Sequence, residues 1–531
     1  MTLKLACIQV KANDRRDADS AWRSLRQFIR DAAAEHDFVI VPEAAYPAYF
    51  LPAFESAVSL PVSDVLREVA EIARESKTYI AFGYADGKHN AAILFDRSGT
   101  KIAEKDKSYL WHFDHRWFNP GTEVSIVGTE FGTVALVVCA DARLPELVRA
   151  AALEGAKIII DLANLTASGP YANTLTNAQC EYMLSTRARE NGVWLAVADK
   201  WDVEADTVTY AGRSAVYSPD GTLIVQAPSN ETKVISVDIP VGEDGEITTA
   251  DPAHRPVRQP RLYQLLGADT QDLPIYRILS EAITPEFAAP YVTVSALNQS
   301  TLKSDAHLQH VRRLIEHEPH LILMPAFPGE LRDVLPYQEL LDREQWMLLT
   351  DIPREGARSR FVTQEGIMDT YYTTHHFPDE RPTVASDDAL SKVFRCSFGY
   401  IGVMHEADGL VPEAARSLML AGADMVVWQH GMGHSDALSI ARTRAAENRI
   451  YVASVFSSAL STEGNAGASF LVDPNGAVVA STLVGRPLHA TGAYCSFAVS
   501  RSKSIVPGTH VLFDRKPKNY GRLLKHEFAS I

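Results

Sequence analysis

The sequence predicts an α/β (α+β) fold that is built twice along the chain. Three observations carry this. Short apolar runs suited to buried strands alternate with amphipathic helical stretches throughout. The passage Cys139-Ala140-Asp141-Ala142-Arg143-Leu144-Pro145-Glu146 recurs as Glu406-Ala407-Asp408-Gly409-Leu410-Val411-Pro412-Glu413, framed by Phe131-Gly132 against Phe398-Gly399 and by Gly155-Ala156 against Gly422-Ala423. A charged, proline-rich stretch with Pro252, Pro256, Pro260, Pro274 and Pro285 lies between the copies. The expected boundaries are a first domain over 1–245, a linker or extension over 246–289, and a second domain over 290–531.

The first half opens on a strand over 3–9. A helix over 17–36 follows, where Trp22, Leu25, Ile29 and Ala32 recur at helical spacing, and then a buried strand over 38–41. Leu66, Val69, Ala70 and Ala73 mark a second helix over 63–76, after which the pattern turns to short strands, including 91–95 and 101–104 joined by Asp96-Arg97-Ser98-Gly99. Pro145 starts another helix, and 172–191 predicts one more before a strand over 193–198. Segments 213–217, 223–226 and 233–237, with the turn Ser218-Pro219-Asp220-Gly221, close the half. The second half restarts with a strand over 292–299, a helix over 305–317 and the run Leu321-Ile322-Leu323-Met324-Pro325. Its later landmarks are Thr443-Arg444-Ala445 and Glu447-Asn448 for Thr186-Arg187-Ala188 and Glu190-Asn191, and Asp473-Pro474-Asn475-Gly476 for the closing turn. Matches in the same order are the signature of duplication.

A formal charge of −15 and a pI near 5.6 disfavour nucleic acid or an anionic membrane as partner. The five cysteines (Cys7, Cys139, Cys180, Cys396, Cys495) are odd in number, scattered, and without a C-x-x-C pair, as expected of a reducing compartment. With an immediate strand at the N-terminus and no long apolar run, a cytoplasmic location is expected. The histidines offer no His-Glu-x-x-His, and Gly431 and Gly433 interrupt the His430/His434 pair, so no metal is expected.

Three strand ends in the first half carry residues suited to covalent hydrolysis. Glu43 ends the run 39–43, Lys107 follows 102–106, and Cys139 follows 134–138. A thiolate, a base and a cation facing a developing oxyanion are what a cysteine hydrolase needs. A nearby Lys107 is expected to raise the thiolate fraction of Cys139, and burial to raise the pKa of Glu43. Asp141, Arg143 and Glu146, like Arg187 and Glu190, are expected to hold the loop as a local ion-pair network. The other four cysteines are expected to be inert.

These motifs, Pro42-Glu43, Lys107-Ser108-Tyr109-Leu110 and Cys139 through Glu146, resemble the nitrilase superfamily of carbon–nitrogen hydrolases over essentially the whole first half. The resemblance implies two tandem αββα sandwich domains, no cofactor, and a thioester acyl-enzyme. Glu43 is then base and acid, Cys139 the nucleophile, and Lys107 with the backbone N–H of Ala140 the oxyanion stabiliser. Ala140-Asp141 after the cysteine, where nitrile-hydrolysing members have Trp-Glu, is more similar to the amidase and carbamoylase branches. Asp114, before Phe118-Asn119-Pro120-Gly121, takes the place of a substrate-positioning glutamate. Candidate pocket-lining residues are Tyr46, Tyr49, Trp111, Trp117 and Asn164.

In the second half Ala326 stands for Glu43, the stretch Thr373-Thr374-His375-His376-Phe377 for the lysine motif, and Glu406 for Cys139, with no lysine from 362 to 390. All three roles are vacant. The expectation is an amidase or N-carbamoyl amidohydrolase acting on a small-molecule amide with release of ammonia. A true nitrilase, or a non-catalytic binding or scaffold protein, are the alternatives. The second domain is expected to form an internal pseudo-dimer with the first, with further homo-oligomerisation left open; binding of an effector in its vacated pocket, near His405, Glu406 and Gln429, is an alternative that rests on those polar residues alone.

Overall fold

The computed structural model describes residues 1–50, 60–122, 124–167, 176–280, 289–296, 304–354, 356–380, 392–461, 464–486 and 489–525. The chain forms two compact units. The first comprises Met1–Pro252 together with Val506–Thr509, the second Ala253–Ile505 together with His510–Ile531.

In the first unit the strands are, in chain order, β1 (Thr2–Lys11), β2 (Phe38–Ile40), β3 (Tyr79–Asp86), β4 (His89–Phe95), β5 (Lys101–Asp106), β6 (Ser125–Thr129), β7 (Gly132–Val138), β8 (Ile158–Leu162), β9 (Trp194–Ala198), β10 (Lys200–Glu204), β11 (Val208–Ala211), β12 (Ala215–Tyr217), β13 (Leu223–Gln226) and β14 (Lys233–Pro240). The main helices are α1 (Ala18–Ala33), α2 (Val62–Ser76), α3 (Asp114–Trp117), α4 (Pro145–Leu153) and α5 (Leu184–Asn191). One sheet runs β11-β10-β1-β2-β3-β4-β5, with β14 also paired to β1, and the other runs β13-β12-β9-β8-β7-β6.

Alternation along β1 explains the layering. Leu3, Leu5 and Cys7 face the second sheet and meet Val134, Leu136 and Val138 of β7 in the central core. Ala6 and Ile8 point the other way, into a layer with Trp22, Leu25 and Ile29 of α1 and Val65, Val69 and Ile72 of α2. Helices α4 and α5 add Val148, Ala151, Leu184 and Ala188 to the core around the second sheet. The order helix, sheet, sheet, helix is the αββα sandwich. Antiparallel pairing of β14 along β1, from Thr2 opposite Pro240 to Gln9 opposite Lys233, closes the unit.

The second unit repeats the two sheets. One is built on the strands Tyr291–Ala296, Leu321–Leu323, Trp346–Asp351, Arg358–Thr363, Gly366–Tyr372 and His489–Tyr494. The other holds Phe394–Cys396, Gly399–His405, Met425–His430, Tyr451–Phe456, Phe470–Val472 and Val478–Ser481.

Several expectations change. The polar hairpin β10–β11 has no apolar run and was not anticipated; it exists because β10 pairs with the end of β1. The helix expected over 172–191 is entered only at the π-turn Gln179–Met183 that leads into α5, with Asn177 capping it by accepting the Gln179 N–H at 2.8 Å. Residues 172–175 of that expectation lie outside the described residues, as do Leu297, Asn298 and Gln299 of the strand expected over 292–299. From Ala253 on, the stretch expected as a linker folds into the second unit as short helices that include Pro260–Leu262, Gln264–Gly267 and Pro274–Leu279, burying Leu262, Tyr263, Leu266, Leu273 and Ile275. Pro260 and Pro274 begin helical turns, where a missing N–H costs nothing.

Candidate active site

Glu43, Lys107 and Cys139 each leave a strand at the same end of the sandwich. Glu43 follows β2, where the ladder continues as Val41 N–H donates to Ala81 O at 2.9 Å. Gly83 lies directly behind it: a Cβ there would come within 2.2 Å of Pro42 O and 2.6 Å of Glu43 Cα, so only glycine lets the two backbones approach this closely. Lys107 follows β5 and is pinned by its N–H donating to Asn90 O at 2.8 Å. Cys139 follows β7 in a left-handed conformation, φ 51°, and its N–H donates to Asp161 Oδ1 at 2.7 Å. Its carbonyl accepts from Gln179 Nε2 at 2.9 Å. A non-glycine residue in this region is uncommon and is held by its surroundings, which here present the thiol at the head of a single turn, Cys139–Arg143.

The three groups form one buried cluster. Lys107 Nζ lies 2.8 Å from Glu43 Oε1 and 2.8 Å from Asp114 Oδ2, and Asn90 Nδ2 donates to Glu43 Oε1 at 2.6 Å. Two carboxylates hold the lysine charged, well above its ordinary value despite burial. Burial raises Glu43 above its ordinary 4.5; Lys107 opposes this and Asp114 reinforces it. The Cys139 thiol is likewise raised well above its ordinary value, first by burial and then by Glu43, with Lys107 opposing. Lys107 acts toward the thiolate, as expected, but desolvation outweighs this one cation, which is shared by two carboxylates. The thiol donates to Asn164 O at 3.5 Å.

Asp141 braces the arrangement. Its Oδ1 accepts from the N–H groups of Ser108 and Tyr109 at 2.9 and 2.7 Å, and its Oδ2 accepts from Val138 N–H at 3.2 Å. The lysine loop and the cysteine turn are thereby tied to one side chain, whose ion-pair partner is Lys105 at 3.1 Å. Arg187 supports the same turn, donating to Ala142 O and Arg143 O at 2.9 Å each and pairing with Glu190 at 2.7 Å, as expected. Arg143 departs from expectation: its guanidinium stacks 4.4 Å from the Trp111 ring centroid, and no carboxylate pairs with it among the described residues.

A pocket of about 280 Å³, part of it open to solvent, is lined by Tyr49, Lys107, Trp111, Cys139, Ala140, Asn164, Leu165, Thr166, Asn177 and Gln179. Four of the five candidate lining residues were Tyr49, Trp111, Trp117 and Tyr46, and the structure separates them. Tyr49 and Trp111 are on the wall. Tyr46 is in the helix-facing core, its hydroxyl donating to Leu60 O at 2.6 Å and its ring against Trp22. Trp117 packs into a cluster with Tyr49, Phe50 and Phe113 instead of the wall. The fifth, Asn164, is on the wall. Asp114 is fully buried behind Lys107, also accepting from Trp111 N–H at 2.7 Å, and like Glu43 it is not among the residues lining the pocket. The Trp111 loop is fastened by a residue from the far end of the chain that belongs to this unit: His112 N–H donates to Thr509 Oγ1 at 3.0 Å. Asn177 and Gln179 were missed, although their place shortly after β8 at a strand-end loop was a usable signal.

All five cysteines are free and buried. Burial raises Cys7, Cys180, Cys396 and Cys495, and none of these lines the pocket.

The second unit keeps the brace. Asp408 accepts from His375 N–H at 2.8 Å and His405 N–H at 2.9 Å, and Arg444 donates to Gly409 O at 3.0 Å while pairing with Glu447 at 2.8 Å. Pairing of the strands puts Ala326 at the Glu43 position and Glu406 at that of Cys139, and the bond of His375 N–H to Asp408, matching that of Ser108 N–H to Asp141, puts Thr374 at that of Lys107. Glu406 even shares the left-handed turn, φ 37°, and burial pushes its carboxyl up to about 8. His405 faces the interior and bonds Ser359 Oγ at 2.7 Å; Gln429 donates to Met324 O at 2.9 Å. His430 ends a strand while His434 starts a helix, so the pair does not share a helical face. Among the described residues no cluster of three or more metal-ligating side chains is found, and no helix is long and apolar enough to cross a membrane.

A family model described as carbon-nitrogen hydrolase matches residues 4–247 and 356–483. An (R)-stereoselective amidase of a Pseudomonas species is 25% identical over 246 residues, 45% of this chain and 85% of its own length. The human omega-amidase NIT2 is 27% identical over 277 residues, 48% of this chain and 95% of its own. A nitrilase of Pyrococcus abyssi is 26% identical over 228 residues, 41% and 82% respectively. An amidase from Nesterenkonia sp. superposes with a TM-score of 0.40 at 22% identity, covering 45% of this chain and 90% of that one.

Proposed function

The chain belongs to the carbon–nitrogen hydrolase family, and from that premise we propose that its first unit is an amidase-type hydrolase of small carboxamides or N-carbamoyl compounds. One observation carries the reading: a cysteine and a lysine share one pocket wall, and the lysine is bonded to a buried glutamate. Glu43 takes the Cys139 proton as Sγ attacks the substrate carbonyl carbon. Lys107 and the Ala140 N–H stabilise the oxyanion. Collapse breaks the C–N bond, with Glu43 returning its proton to the departing nitrogen, and leaves a thioester. Glu43 then draws a proton from water, which attacks the thioester, and the thiol is regenerated as the acid leaves. Asp114 acts through Lys107 as a positioning residue. The second unit, with Ala326, Thr374 and Glu406, takes no part in the chemistry; we assign it a structural role.

The test is ammonia release from a panel of primary amides, N-carbamoyl amino acids, hydrazides and nitriles by the full chain. Release from amides or carbamoyl compounds is expected, and release from nitriles alone would replace this reading by the nitrilase one.

Because Glu43 acts as a base only when ionised, and its pKa lies above the ordinary 4.5, kcat/KM is expected to fall with acid through a limb centred above that value. A pH–rate profile whose acid limb lies at or below 4.5 would contradict the assignment. Replacing Arg143 by leucine removes the plane on which Trp111 rests and is expected to raise KM about tenfold with little change in kcat, while lysine, lacking the planar fork, restores little. Steady-state kinetics on the best amide check this.

A further inference from the structure

Among the described residues, Asn164 is a buried residue of the pocket wall whose side chain has both a donor and an acceptor left over. It is 3% exposed, and neither Oδ1 nor Nδ2 has a hydrogen-bond partner among the described residues. Its own backbone carbonyl receives the Cys139 thiol at 3.5 Å, so this carboxamide stands next to the nucleophile. Buried amides are nearly always satisfied, and an orphaned one costs on the order of 1–3 kcal/mol per group. The duplicated half supplies a control within the chain. The matched position there is Gly431, where a Cβ would come within 2.3 Å of the Leu460 backbone. The side chain is thus present in the half that has the thiol and sterically excluded from the half that lacks it.

Resting on the amidase reading, we propose that Asn164 is a specificity-determining residue that pairs with a second planar O=C–N–H edge on the substrate, beyond the scissile amide. Such an edge, in a carboxamide or a ureido group, offers an acceptor to Nδ2 and a donor to Oδ1 at once, and both bonds form in one plane. Water can satisfy the amide in the free enzyme, and a matching edge displaces it without loss, whereas an alkyl group of the same shape strands both polar atoms.

The experiment measures binding, so that it does not depend on turnover. Succinamide, 3-ureidopropanamide and the isosteric 4-methylpentanamide are titrated calorimetrically into full-length Cys139→Ala protein and into the same protein carrying Asn164→Leu. Succinamide or the ureido compound is expected to bind at least tenfold more tightly than 4-methylpentanamide, and Asn164→Leu to reduce that ratio to near one. Equal binding of all three by the Cys139→Ala protein, or a preference that survives Asn164→Leu, overturns the proposal. Should the leucine variant fail to fold, Asn164→Asp keeps the shape and removes the donor, and is expected to lose the preference as well. Failure of the amidase reading registers separately, as absence of ammonia release by the wild-type chain.

Discussion

Cys139→Ala is expected to lower kcat for the best substrate by a factor of ~10⁴ to 10⁶ while leaving KM and thermal stability close to wild type. The factor is that of losing a covalent nucleophile whose partners act as a unit with it. Stability should change little because the thiol's one hydrogen bond among the described residues is the long one to Asn164 O at 3.5 Å, and the turn is held by backbone bonds to Asp161 and Gln179 that alanine retains. Ammonia release and a thermal melt measured side by side decide it. A variant with a tenth of wild-type activity would refute nucleophilic catalysis by Cys139, and the second unit could not be the source, since its matched position is Glu406.

Lys107→Met is expected to damage both activity and the fold. Methionine fills the volume but strands Glu43 and Asp114, each lying 2.8 Å from the ammonium and fully buried. Removing one partner of such a buried cluster costs about 3–5 kcal/mol, moderated here because the two acids can protonate. Losing an oxyanion stabiliser removes a further ~10² to 10³ in kcat. The measurement is the first unfolding transition in urea, with activity assayed below it. A double change, Lys107→Met with Asp114→Asn, should recover part of the stability and none of the activity. Recovery of both would mean that the lysine is structural alone.

The fold was legible where a periodic pattern repeats a physical cause. β1 alternates Leu3, Leu5, Cys7 against Ala6, Ile8 because both of its faces are covered, and α1 shows Trp22, Leu25 and Ile29 because one stripe meets that sheet. The hairpin of Lys200–Glu204 and Val208–Ala211 was illegible because its support is pairing to the end of β1, which no local pattern announces. In the site, Glu43, Lys107 and Cys139 could be found from strand ends and residue type. The aromatic residues could not be sorted: Tyr46 and Tyr49 are near neighbours in sequence, yet one fills the helix-facing core and the other the pocket. The tie of Asp114 to Lys107 was not legible because it depends on a loop folding back. The net direction of the Cys139 shift was not legible for a related reason, since the degree of burial belongs to the assembled sandwich and not to the motif.

The fastening of His112 by Thr509 also bears on how the molecule is made. During synthesis the first 252 residues leave the ribosome long before residues 506–509 exist, yet those four count among the first unit's own. Domains generally fold as units, N-terminal first. Here the nascent first half can assemble its sheets early but lacks the hydroxyl that holds the loop beside Trp111 until residue 509 has been made. Completion of the pocket is thereby deferred until the chain has grown past the second unit's sheets, so a ribosome that stops before that point leaves a sandwich whose pocket wall is unfinished.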